Sequence, residues 1–168
     1  MASKKLKYGF LNRNVTPSSY PLPVPLAASQ YLNKLSGRIL TMDGSGNFAL
    51  TGATDSLVAG VTEAITQDSS TGCSSATAAA DSVILIDDVN QPFEMPVVTG
   101  TTITAASLKL LLGKTCDIAI AGSTTTTIQQ ANIGASTYDV IVIVGGNVDR
   151  NTVYVKLNST KMKSSGVV

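Results

Sequence analysis

From Leu35 onward, apolar and polar positions alternate with a period of two, the pattern of short half-buried strands. Arg38–Met42, the turn Asp43-Gly44-Ser45-Gly46-Asn47 and Phe48–Thr51 predict a hairpin. Leu57–Ala64 is a further strand, with Gly60 marking a bulge or a close backbone approach. Residues 67–80 are Ser/Thr/Ala-rich without periodicity and read as a loop or weak edge strand. Ser82–Asp87 and Phe93–Val97 are strands. Cys116, Ile118 and Ile120 alternate with polar or small neighbours, and Ser123–Thr127 reads as an exposed edge strand. Tyr138–Val144 is too apolar to keep one face wet. After a loop from Gly145 to Asn151, Val153, Val155 and Leu157 face one way and Thr152, Tyr154 and Lys156 the other.

One stretch has a different period. Thr104 suits an N-cap, Ala105–Leu112 a helix body and Gly113 a C-terminal stop. Ile103 and Leu108 stand at hydrophobic-staple positions, and Leu108, Leu111 and Leu112 form the stripe to be buried. Strands every 8–12 residues or so with one short helix predict an all-β protein, a small barrel or sandwich. No repeat recurs at a fixed period.

The first thirty residues follow neither pattern. Four of the six prolines fall between Pro17 and Pro25, and Pro21, Pro23 and Pro25 alternate with Leu22 and Val24. Proline removes a backbone donor and extends the residue before it, so this is a stiff extended arm. Tyr8, Phe10, Leu22, Val24 and Leu26 make it too apolar for a free linker. The expected organisation is an arm over residues 1–34 and a β-barrel domain over 35–168, with the arm built to dock elsewhere.

Charge sharpens that division. Among 168 residues, 12 Lys+Arg face 11 Asp+Glu, so a globally basic nucleic-acid binder is excluded. Yet Lys4, Lys5, Lys7, Arg13 and Lys34 all precede the first acidic residue, Asp43. Nothing after Lys7 resembles an apolar signal-peptide core, and no stretch approaches the roughly 18 apolar residues of a bilayer span. A soluble chain made in a cytoplasm is the expectation.

Candidate chemistry is sparse. His is absent, which removes the usual base near neutral pH and the commonest metal ligand. Cys73 and Cys116 allow one bridge at most, lack CxxC spacing, and are expected as free thiols. Asp87-Asp88 reads as a turn rather than a cation site. Asp43, Ser45 and Asn47 mimic a calcium loop, but Phe48 and Thr54 stand where its glycine and closing glutamate belong. Glu63 and Glu94, the two glutamates, have nothing in the sequence that pairs them as acid and base. The Gly44/Gly46 and Gly145/Gly146 clusters lack the helix and Lys-Ser/Thr pair of a phosphate loop. No enzyme, cofactor, metal or small-molecule substrate is expected.

The stretch Ser36-Gly37-Arg38-Ile39-Leu40-Thr41-Met42-Asp43-Gly44-Ser45-Gly46, then Ala53–Ala64 with Gly60-Val61, then the Val/Ile-rich Tyr138–Leu157 hairpin, resembles the decoration (cement) proteins of tailed-bacteriophage heads. The resemblance covers roughly Leu35 to Leu157. It implies a non-enzymatic virion protein, commonly a homotrimer, bound to the major capsid protein on the capsid surface with a terminal arm reaching neighbouring subunits. In that role Lys4, Lys5, Lys7 and Arg13 would meet acidic capsid surface, while Tyr8, Phe10, Leu22 and Val24 would fill apolar grooves. Two alternatives stay open. One is a shell-forming coat protein whose basic arm faces the genome, although five basic residues are few for that. The other is an adhesive or carbohydrate-binding sandwich, which normally displays aromatic platforms, whereas this chain has no Trp and five Tyr.

Overall fold

The structure, a computed structural model, describes residues 23–32, 37–62, 73–75, 82–122 and 127–163. It is mostly β with a single short α-helix among the described residues, as the periodicity predicts. Among the described residues twelve strands run in chain order: β1 (Pro23–Pro25), β2 (Gln30–Leu32), β3 (Ile39–Met42), β4 (Phe48–Leu50), β5 (Gly60–Thr62), β6 (Cys73–Ser75), β7 (Ser82–Ile86), β8 (Phe93–Pro96), β9 (Thr115–Ala121), β10 (Ile128–Asn132), β11 (Ile141–Asn147) and β12 (Thr152–Leu157). Helix α1 (Ala105–Leu111) lies between β8 and β9. Two five-stranded antiparallel sheets form, in the orders β1-β7-β5-β3-β4 and β10-β9-β11-β12-β8, with a small β2-β6 ribbon beside them.

The buried residues of the first sheet divide between two clusters. Ile39 and Val61 join Phe93, Met95, Ile118, Ile141 and Ile143 of the second sheet in one core. Leu40, Phe48, Ala59 and Val83 turn the other way and pack with Leu26 and Leu32 in a second. The arrangement is a sandwich rather than a closed barrel. In each sheet the two edges are joined by one isolated parallel bridge, Leu26 to Phe48 and Val97 to Ala131.

That symmetry runs deeper. Numbered within its own half, each sheet has the strand order first, fifth, fourth, second, third. The pairing registers also correspond. Pro23↔Ile84 and Pro25↔Ser82 answer to Glu94↔Tyr154 and Pro96↔Thr152. Val61↔Ile86 answers to Val142↔Lys156, Ile39↔Val61 to Thr115↔Val142, and Met42↔Phe48 to Ile118↔Ala131. Beyond each edge bridge the next residue repeats the same bond: Ala27 N–H donates to the Phe48 carbonyl at 2.8 Å, and Val98 N–H to the Ala131 carbonyl at 3.0 Å. Two residues further on, Ser29 and Gly100 both have positive φ. The described strands therefore hold a tandem pair of one five-stranded unit, the first made of β1, β3, β4, β5 and β7 and the second of β8 to β12. The search for a sequence period found no such repeat, because the halves share ladder register and not residues.

Several expectations need correction. The boundary at 34/35 does not hold: Pro23–Leu32 belong to the folded body, and Leu26 and Leu32 are fully buried. Val24, expected in a partner's groove, packs partly buried against the Leu26 cluster of its own chain. Prolines fit here because β1 is an edge strand, so Pro23 and Pro25 leave its rim poor in N–H donors. β11 does not end at Val144 but continues through Gly145 and Gly146, with its register slipping between Ile143 and Gly145. Val144 is exposed there, so β11 does keep a wet side.

Helix α1 forms where its signals lie. Thr104 accepts the Ser107 N–H, and Ser107 Oγ accepts the Thr104 N–H, a capping box. Ile103 is buried, and Leu108 and Leu111 pack on the core. Leu112, expected in the stripe, is instead the C-cap in extended conformation and half exposed, because the chain leaves the helix before that residue can turn inward. Gly113 takes φ +78°, the left-handed stop.

Candidate functional site

The residues singled out as an arm divide sharply. Lys4, Lys5, Lys7, Tyr8, Phe10, Arg13 and Leu22 lie outside the described residues, as do Glu63 and most of the edge strand expected at Ser123–Thr127. Asp88 Oδ1 accepts the Asn90 N–H at 2.8 Å in an exposed turn. Asp43 Oδ1 accepts the N–H groups of Ser45 (2.8 Å) and Asn47 (2.9 Å), so the carboxylate organises the hairpin turn. The Asn47 N–H bond is the leading cause that holds the Asp43 carboxyl below its ordinary pKa. Glu94 pairs with Arg150 at 2.9 Å and accepts from Thr152 Oγ1 at 2.7 Å, a structural use. Cys116 is a free, buried thiol whose pKa burial, with Asp117 and Asp139, pushes up to about 12. Among the described residues no three His, Cys, Asp or Glu side chains gather as metal ligands, and no helix is long and apolar enough to cross a membrane.

Among the described residues, polar groups gather on exposed or semi-buried backbone at two places that bear on function. The first is the seam between the units. Gln129, on the edge strand β10, is buried yet makes three bonds into the first unit. Its Oε1 accepts the Ile39 N–H at 2.8 Å, and its Nε2 donates to the carbonyls of Ile39 (2.9 Å) and Thr51 (2.8 Å). Beside it the Arg38 guanidinium donates to the Thr127 carbonyl at 2.9 Å, and burial lowers its pKa. The groove formed by Gly37, Arg38, Ile39 and Thr51 is thus filled by the Thr127–Gln129 segment.

The second place is an open cleft of about 380 Å³, lined by Gly113, Lys114, Thr115, Ile133, Gly134, Ala135 and Ser136. One wall is the start of β9, just past the stop of α1. The other is the turn after β10, held in place by Asp117. The Asp117 N–H donates to the Ala135 carbonyl at 3.0 Å. Its carboxylate accepts the N–H groups of Thr137 (3.0 Å), Tyr138 (2.8 Å) and Asp139 (2.8 Å). A buried carboxylate with three charge-assisted bonds fixes that wall firmly. Lys114 is the charged group of the lining and is exposed. Sequence reasoning missed both Gln129 and Lys114; the signal for the first was a Gln-Gln pair inside an apolar Ile-to-Ala strand. No family model, curated protein or solved structure matches the chain.

Proposed function

We propose that this protein is a non-enzymatic decoration protein of a phage head, bound as a homotrimer to the outer capsid surface and stabilising the junctions between major capsid subunits. In this reading the arm is shorter than the sequence suggested and ends where β1 begins. Its apolar and basic contacts are Lys4, Lys5, Lys7, Tyr8, Phe10, Arg13 and Leu22, with Val24 given over to the chain's own core. The observation that carries the reading is where those residues join the body. Pro23 is exposed on an edge strand, so a basic, apolar 22-residue segment is attached at the rim of a tightly cross-bonded sandwich. A rim attachment lets a short segment reach a neighbouring surface, and three arms on one trimer bind at high effective concentration. The protein would be made in the host cytoplasm and reside in the virion.

The test is removal of residues 2–22 from the full chain, followed by co-sedimentation with undecorated heads. The expected outcome is an unchanged far-UV CD spectrum and lost binding. Retained binding by the truncated protein overturns the role of the arm, and no binding by the intact chain overturns the decoration reading itself.

A further inference from the structure

Placing the two units over each other by their registers puts Gly113, Lys114 and Thr115 on Gly37, Arg38 and Ile39, and the turn that follows β10 where Thr51 follows β4. The open cleft of the second unit is therefore the counterpart of the groove that Thr127–Gln129 fills in the first. Burial tells the same story. Gly37, Arg38, Ile39 and Thr51 are all buried, whereas Gly113, Lys114 and Gly134 are exposed. The backbone is poised alike as well. Thr62 N–H donates to the Arg38 carbonyl at 2.8 Å, and Ile143 N–H to the Lys114 carbonyl at 2.9 Å. In an antiparallel ladder the next residue turns its own N–H and carbonyl to the opposite side. Ile39 gives its N–H to Gln129 and its carbonyl to both Gln129 and the Thr51 N–H; Thr115, in the lining, turns the same two groups toward the cleft.

From this we infer that the Lys114–Thr115 cleft is a docking groove for an extended strand of another polypeptide that carries a glutamine. The carboxamide bonds Thr115 at both backbone groups, and a main-chain carbonyl two residues earlier receives the Lys114 ammonium. The filled groove states this chemistry directly, since Gln129 and the Thr127 carbonyl do the same for Ile39 and Arg38. A second copy of this chain is a poor occupant. Its β10 is already engaged by its own first unit, and the position matching Gln129 in that unit is Gly46, which has no carboxamide. The inference stands apart from the decoration reading, because its test uses no capsid.

The test titrates a synthetic peptide copying residues 125–132 (Thr-Thr-Thr-Ile-Gln-Gln-Ala-Asn) into the ¹⁵N-labelled full chain. Expected are saturable shifts at Gly113, Lys114, Thr115, Gly134 and Ala135. Replacing the first peptide glutamine by leucine should weaken binding about tenfold, as lost buried hydrogen bonds do. Ala135→Trp, which fills the cleft, should abolish the shifts, and Lys114→Ala, at an exposed site that leaves the fold alone, should weaken them. No saturable shift by about 1 mM peptide, shifts centred elsewhere, or indifference to the glutamine overturns the inference. So does loss of the wild-type cleft signals on self-association, restored by dilution, since a second copy would then be the occupant.

Discussion

Gln129 grips Ile39 by both of that residue's backbone polar groups, accepting its N–H at 2.8 Å and donating to its carbonyl at 2.9 Å. The Ile39 carbonyl also accepts the Thr51 N–H at 3.0 Å, so the amide adds a second donor there and supplies the acceptor for the Ile39 N–H. The same amide reaches the Thr51 carbonyl, so three groups of the first unit are satisfied by one residue of the second.

Removing that amide should be costly. Gln129→Leu keeps the volume roughly but leaves the Ile39 N–H buried without an acceptor, at about 1–3 kcal/mol for each group stranded. Urea unfolding should show a loss of about 2–4 kcal/mol, while Gln130→Leu, whose amide meets Thr99 in a part-buried site, should cost less. Equal effects would mean that Gln129 does not bind the units together.

The paired turns after β1 and β8 make opposite predictions from one geometry. Ser29 holds φ +59° and Gly100 φ +89° at matching positions. A left-handed residue with a Cβ costs about 1–2 kcal/mol. Gly100→Ala meets no atom within 4 Å, so its expected loss of about 1 kcal/mol is backbone strain alone. Ser29→Gly should gain a few tenths to about 1 kcal/mol, the strain relieved less the extra freedom of the unfolded chain. Thermal unfolding of both variants checks the pair.

Much of this fold was legible in the pattern. Helix α1 showed its cap at Thr104 and its stop at Gly113 because both are local, decided within a few residues of chain. β12 showed its faces because Val153, Val155 and Leu157 all meet one core. β10 did not, since Gln129 and Gln130 read as polar until their partners are known: backbone groups of Ile39 and Thr51 for the first, up to ninety residues away, and Thr99 for the second. The prolines of β1 suggested a tether because nothing local says that β7 will lie beside them. The duplication was invisible for a related reason: Phe48 and Ala131, or Leu40 and Cys116, hold equivalent positions without resembling each other. The cleft inherits that obscurity, for it is defined by which of two equivalent grooves is filled.

Gly60 illustrates a position where the sequence hint can be given a magnitude. A Cβ there would lie 2.6 Å from Leu85 Cγ and 2.7 Å from the Ile86 carbonyl oxygen. The leucine tip can move, but the carbonyl belongs to the paired strand β7 and cannot. Gly60→Ala should therefore destabilise by about 1–3 kcal/mol, and Leu85→Ala in the same chain should not restore the loss. Recovery in the double variant would mean that only the side-chain contact mattered.

Cys116 ties stability to pH. Its thiol is buried beside Asp117 and Asp139, and burial foremost raises its pKa from 9.0 to about 12. The unfolded chain releases this proton near pH 9 while the folded chain keeps it. The contribution to stability is complete below pH 9 and is lost as pH rises toward about 12. Denaturant unfolding of the wild type should weaken across that interval, and Cys116→Ala should weaken less steeply over the same range. At pH 8 the folded protein's Cys116 should resist a thiol-specific alkylating reagent and react once the chain is unfolded, followed at that residue by peptide mass spectrometry. Prompt labelling of Cys116 in the native state would show that the thiol is neither sealed nor shifted.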